Sequence, residues 1–325
     1  MIEYSPWFGY KHPYNDQYAG LPVVEVSGSQ CDPPPPDSGS AAWRLTANPF
    51  IDGPGGSMQE TFRTFFDRAD AAAVTAIVIG DWEFGTSSAP IVERLCQEAP
   101  RLPALRSLFL GAISSMNCEI SWIQQCDVTP LLQAYPQLER LDVLGGSGLA
   151  VHPVRHEALR MLRIETGGLN AAVARAVGAC DLPALKHLEL WLGIETYGGT
   201  TTLADLDPIL RGERLPALRH LGLQDSERQD EIAAAIAAAP VVARLDSLSL
   251  SMGVLTDEGA LALLSGQPLT HLRRLDLQHH YLGEEMMRRV REALPEVEVD
   301  LSRPMQPDDD EEEDEEPWLY VAVSE

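Results

Sequence analysis

No apolar run in this sequence approaches the ~20 residues that a membrane-spanning helix needs. The opening residues, Met1-Ile2-Glu3-Tyr4-Ser5-Pro6-Trp7, lack the basic and apolar regions of a secretory signal, so a cytoplasmic protein is expected. Cysteine is scarce and odd in number: Cys31, Cys96, Cys118, Cys126 and Cys180, with no CxxC pair. That argues against a disulfide framework and a zinc ribbon, and leaves reduced thiols. Basic residues are few, with 24 Lys and Arg against 49 Asp and Glu and a formal net charge of -25. Such a surface repels phosphate backbones and anionic lipid, so neither nucleic acid nor membrane is an expected partner. A protein with a basic or mixed-charge surface is. Catalytic signatures are missing as well: there is no GxSxG, HExxH, Walker loop, or GxGxxG after a strand. Gly145-Gly146-Ser147-Gly148 has no Lys-Ser/Thr to grip phosphate and reads as a turn. No catalytic residue, metal or cofactor is expected.

What is present is a repeat. Hydrophobic residues make up 45% of 325 residues, enough for a real core, and the length suits two domains or one elongated array. The pattern LxxLxL recurs at Leu105-Leu108-Leu110, Leu138-Leu141-Val143, Leu159-Leu162-Ile164, Leu185-Leu188-Leu190, Leu218-Leu221-Leu223, Leu245-Leu248-Leu250 and Leu272-Leu275-Leu277. Val74-Ile77-Ile79 reads as an N-terminal copy and Val297-Val299-Leu301 as a degenerate closing strand. Steps of 27 (218 to 245 to 272) leave room for a strand and a helix; steps of 33 (105 to 138, 185 to 218) carry insertions. One strand-helix unit cannot bury its leucines alone, and stacking neighbours builds a shared core.

The linking segments carry helix signals. Ile232 and Ile236 lie one turn apart before Pro240; Thr256 can cap a helix holding Leu261 and Leu264; Thr129-Pro130 and Asp207-Pro208 read as cap-plus-proline starts. In 284–294, Met287, Val290 and Leu294 share one face, and Glu284/Arg288 and Glu285/Arg289 are i,i+4 pairs. Residues 1–69 differ in kind: a loop with Pro33-Pro34-Pro35-Pro36, strands at 21–26 and 42–46, and a capping box from Ser57 to Glu60 opening a helix with Phe62, Phe65 and Phe66. The predicted fold is α/β: a leucine-rich-repeat solenoid over 70–303, a right-handed horseshoe with parallel strands on the concave face and helices on the convex face, preceded by an N-terminal α/β cap over 1–69. Residues 304–325 form a tail in which Asp308 to Glu316 are all acidic, followed by the apolar run Trp318-Leu319-Tyr320-Val321-Ala322-Val323. That run either docks on the chain or is offered to a partner; the sequence leaves both open.

Several strings exceed any generic repeat consensus: Glu119-Ile120-Ser121-Trp122-Ile123-Gln124-Gln125, Glu165-Thr166-Gly167-Gly168-Leu169, Leu188-Glu189-Leu190-Trp191-Leu192-Gly193, the stretch from Leu269 to Leu277, His279-His280-Tyr281-Leu282, and the Trp-Leu-Tyr-Val-Ala-Val end. Through them nearly the whole chain resembles a family of uncharacterised bacterial leucine-rich-repeat proteins with ribonuclease-inhibitor-like repeats. The resemblance implies no established activity. Family members look like neighbours of radical-SAM-type and other modification enzymes in bacterial gene clusters, which implies an adaptor or substrate-holding role.

In a solenoid the side chains between the pattern leucines face out from the concave strands. Here these include Phe109, Arg140, Asp142, Arg163, Glu165, His187, Glu189, Trp191, His220, Gln224, Arg274, Asp276 and Gln278. Trp191 reads either as a binding hot spot or as packing covered by the insertion around Tyr197. The Glu119–Gln125 string, with Trp122, reads either as a rim binding element or as a structural plug. His187 and His220 occupy equivalent positions about 5 Å apart, and His280 and Tyr281 sit on the rim; recognisable metal sites bring carboxylate or cysteine company that these pairs lack in sequence. The expected function is a non-enzymatic protein-binding scaffold, with Trp191, Glu189, Glu165, Arg163, His187, His220, Arg274, Asp276, Gln278, Trp122, Glu119, His280 and Tyr281 as the contact set. The alternatives are an accessory subunit of a modification enzyme, with Glu119, Glu165 and the rim histidines as acid-base groups, and an acidic decoy for basic proteins.

Overall fold

The computed structural model describes residues 16–47, 57–83, 85–307 and 318–325. The acidic run Asp308–Glu316 and the first 15 residues of the expected cap lie outside the described residues. The chain divides into two compact units, Met1–Leu162 and Arg163–Glu325.

The first unit contains β1 (Gln17–Tyr18), β2 (Leu21–Ser27), β3 (Gln30–Cys31), β4 (Ala42–Thr46), α1 (Met58–Arg68), β5 (Ala76–Ile79), α2 (Ala89–Glu98), β6 (Ser107–Leu110), α3 (Thr129–Ala134) and β7 (Arg140–Leu144). β2, β4, β5, β6 and β7 pair in parallel in that order, while β1 and β3 add to β2 antiparallel. The strands of the expected cap thus continue the repeat sheet. Register carries the pattern across: Trp43 opposes Ile77, Ile77 opposes Leu108, and Leu108 opposes Leu141. α1 opens as its sequence dictates, with the Ser57 hydroxyl accepting from the Glu60 amide. It buries Phe62 and Phe65, the latter edge-on to Trp43 at 5.5 Å.

β8 (Met161–Glu165) spans the boundary between the units. The second unit continues with α4 (Ala171–Ala179), β9 (His187–Gly193), α5 (Leu203–Arg211), β10 (His220–Ser226), α6 (Gln229–Ile236), β11 (Ser247–Ser249), α7 (Asp257–Ser265), β12 (Arg274–Asp276), α8 (Glu284–Ala293) and β13 (Glu298–Asp300). Its strands lie in sequence order, and those from β9 to β13 pair in parallel. Leu188, Leu221, Leu248, Leu275 and Val299 form one ladder across it. No aliphatic residue of the seven LxxLxL copies is more than 5% exposed. At about 1.5–3 kcal/mol for each fully buried side chain, these ladders are the main source of cohesion.

Three helix details differ from the sequence reading. α5 begins five residues before Pro208, because Thr202 and Asp205 form a reciprocal capping box that outcompetes the Asp207-Pro208 start. In α7 the buried face is Gly259, Ala260 and Leu263, and Leu261 is exposed. In α8 Met286 and Val290 are buried, and Arg288 pairs with Glu285 and Glu292 in place of the expected Glu284/Arg288 and Glu285/Arg289.

Candidate functional site

The residues between the pattern leucines do not form an open face. Phe109, Asp142, Arg163, Glu165, His187, Glu189, Trp191, His220, Gln224 and Asp276 are each no more than 4% exposed. Arg140, Arg274 and Gln278 are half-buried. In the first unit the reason is visible: β1 carries Tyr18 across β6 and β7. Its ring lies 5.9 Å from Phe109, its hydroxyl donates to Asp142 at 2.8 Å, and the Arg140 guanidinium sits over the ring at 4.7 Å. In the second unit the polar side chains close on one another. Of the two readings of Trp191, burial favours packing; its carbonyl accepts from the Thr166 hydroxyl at 3.0 Å.

The tightest of these clusters is charged. β9 and β10 run in register with His187 opposite His220, and the two rings stack at 4.1 Å and 13°. Glu189, two residues along β9, points to the same side. Gly222 of β10 lies opposite it, and a Cβ there would come within 2.9 Å of Glu189 Cγ, so the missing side chain is what lets Glu189 lie over β10. Glu189 Oε1 sits 3.0 Å from His187 Nε2 and 3.2 Å from His220 Nε2, while Oε2 is held by Arg163 Nε at 2.5 Å. Glu165 Oε1 lies 3.6 Å from the same Arg163 nitrogen. His220 Nδ1 shares a hydrogen bond with the Ser247 hydroxyl at 2.7 Å. Burial pushes the His187 imidazole down to about 4, against the upward pull of Glu189. Burial pushes Glu189 up, but Arg163 first and His187 next overcome it and hold the carboxyl well below its usual range. Glu189 is therefore a buried carboxylate facing a neutral His187. Asp276, on β12, is pushed up to about 6 by burial, against the Gln278 amide that donates to it at 3.1 Å. The expectation that the histidines lack carboxylate company is overturned: His187, Glu189 and His220 place three ligand-type atoms within 4.8 Å of one another.

The rim carries a second arrangement. Asp225 at the end of β10, and Met252 and His279 just after β11 and β12, recur at steps of 27 and all have left-handed backbone, with φ of 56°, 71° and 55°. The C-terminal run docks across them. His279 Nε2 is 3.0 Å from the Tyr320 carbonyl, the Ala322 amide donates to the Met252 carbonyl at 2.7 Å, and the Val323 amide donates to Asp225 Oδ1 at 2.9 Å. The Tyr281 hydroxyl accepts from the Tyr320 amide at 2.8 Å, and the Tyr197 hydroxyl contacts the Glu325 carboxylate. The open question about the tail is thus resolved for 318–325. His280 is structural: it is fully buried, its Nε2 is 3.2 Å from the Leu301 carbonyl, and its Nδ1 accepts the Leu282 amide. Arg274 pairs with Glu298 and Asp300. Sequence reasoning missed Asp225, Met252 and Gly222; the 27-residue recurrence of the position two residues past the last pattern leucine was the available signal for the first two.

In the first unit Glu119 and Trp122 lie on the insertion after β6, and both are exposed, Trp122 at 56%; Met116 on the same insertion is exposed at 72%. The loop is firmly anchored. Gln125, 3% exposed, donates from Nε2 to the Leu144 carbonyl at 2.7 Å, accepts at Oε1 from the Ser88 hydroxyl at 2.8 Å, and bonds through its amide to Ser147. A Cβ at Gly145 would meet the Ile123 side chain at 2.6 Å.

Over 81% of its length the chain is similar to a protein from Bacteroides fragilis of solved structure, with 28% identity, a TM-score of 0.75 and 74% of that protein covered. An internalin from Listeria monocytogenes matches loosely, at 15% identity and a TM-score of 0.39, over 70% of this chain and 54% of that one. No protein-family model and no curated protein matches the chain. The alternation of parallel strands and helices, with the buried leucine ladders, defines a leucine-rich-repeat-like fold of a kind found in bacteria. Among the described residues no helix is long and apolar enough to cross a membrane.

Proposed function

We propose that this chain is a non-enzymatic protein-binding scaffold whose contact surface is the rim insertion of the first unit, with Trp122, Met116 and Glu119 in place of the buried strand-face set. The observation that carries the reading is an exposed tryptophan on a loop fixed by the buried Gln125. A large apolar side chain presented on an anchored backbone leaves less chain to be ordered on binding, which is the usual character of an interface anchor. Trp122 also shares its small surface depression with Asp81 and Glu83. An indole beside carboxylates suits a partner that lays an Arg or Lys side chain over the ring, in keeping with the net charge of -25.

The test is affinity capture from native lysate with wild-type protein and with Met116→Ser/Trp122→Ala. The double variant should lose at least one protein that the wild type retains, with its thermal unfolding unchanged, and that capture should weaken as salt rises. Identical captured sets would remove the rim-loop reading.

A further inference from the structure

We infer that His187, Glu189 and His220 bind one divalent transition-metal ion of the zinc class inside the second unit. Three features of the geometry support this beyond the residue types. The first is distance. Tetrahedral zinc with bonds of ~2.0–2.2 Å places neighbouring ligand atoms about 3.3–3.6 Å apart. Glu189 Oε1 stands 3.0 Å from His187 Nε2 and 3.2 Å from His220 Nε2, so each carboxylate–imidazole separation needs only to widen slightly to accept one ion. The second is misdirection. Glu189 Oε1 and His187 Nε2 are completely buried and 3.0 Å apart, yet neither atom has a well-aligned hydrogen-bond partner. Buried polar atoms rarely go without partners, and an ion between them would satisfy both at once.

The third feature is the outer support. A ligating carboxylate is normally held through its second oxygen and a ligating imidazole through its second nitrogen. Arg163 holds Glu189 Oε2, and the Ser247 hydroxyl engages His220 Nδ1, the outer atoms of the carboxylate and of one imidazole. Gly222 keeps clear the space that Glu189 occupies. Closing on an ion requires the two stacked rings to splay from their 13° alignment so that their lone pairs converge. The competing account of the same cluster is a metal-free ion pair of Glu189 with Arg163, flanked by imidazoles.

Untagged full-length protein would be stripped with a chelator and titrated with Co(II), followed by visible absorption, and with Zn(II), followed by calorimetry. The expected result is one ion per chain, a Co(II) spectrum with nitrogen and oxygen ligands and no thiolate charge-transfer band, and affinity at least ~100-fold weaker in Glu189→Gln and in His220→Asn. Circular dichroism of each variant checks folding. Should either unfold, the wild-type spectrum still decides, because a thiolate band would assign the ion to a cysteine. Absence of stoichiometric binding by the wild type, a thiolate band, or undiminished binding by folded variants would overturn the site.

Discussion

Two residues show how far local pattern and tertiary environment diverge. Trp191 alternates with leucines as an outward strand residue should, yet it is 2% exposed. Trp191→Ala should therefore cost about 3–5 kcal/mol in urea unfolding, the range for emptying an aromatic site in a core; a cost under ~1 kcal/mol would show the side chain to be on the surface. Asp225 is fully buried in left-handed backbone, with a carboxyl pushed well above the usual range by burial, while the Val323 and Ala322 amides oppose that rise. A folded-state value raised above the unfolded one means that its stability contribution is complete below pH ~4 and is lost as pH rises through the raised value. Asn keeps the acceptor for Val323, tolerates φ > 0 and carries no charge. Asp225→Asn should thus be more stable than wild type at pH 8, with the gap closing toward pH 4; a gap independent of pH would contradict the assignment.

Among the elements, the docked tail changes the picture most. Residues 318–325 bond the rim at Asp225, Met252, His279 and Tyr281, contacts spread over successive repeats. At ~1 kcal/mol net for each of these four hydrogen bonds, truncation after residue 307 should cost about 4 kcal/mol and speed amide exchange around Met252 and Asp225. Unchanged exchange there would mean the tail is loose in solution. Helix boundaries show the opposite balance. Ser57 and Thr256 cap as read, because a cap is decided by a side chain and an amide two or three residues away. The start of α5 was misplaced because two local signals competed and the Thr202–Asp205 box won. In α7 the buried leucine is Leu263, not Leu264; in α8 Val290 and Leu294 are buried as expected and Met286 takes the place of Met287.

At the scale of the whole chain, charge and repeat act separately. A net charge of -25 opposes compactness through self-repulsion. Raising salt from ~0.02 to ~0.5 M shortens the screening length from over 20 Å to under 5 Å, so the melting temperature should rise over that range by differential scanning calorimetry. A fall would show that attractive pairs such as Arg140–Asp142 and Arg163–Glu189 dominate instead.

The sequence alone determined the repeat strands, their order of recurrence and which of their aliphatics are inside, because leucine spacing is a periodic signal that neighbouring copies reinforce; the short β1 and β3 it did not show. It also placed Trp122 on an insertion that the structure leaves exposed. Only the tertiary structure decided that the alternate faces are closed as well. Whether an outward side chain meets solvent depends on segments far off in the chain, as Tyr18 over Asp142 and Val323 on Asp225 do, and no local period encodes that. The meeting of Glu189 with both imidazoles is of the same kind: strand register sets it, along with a glycine that leaves room across the strand pair.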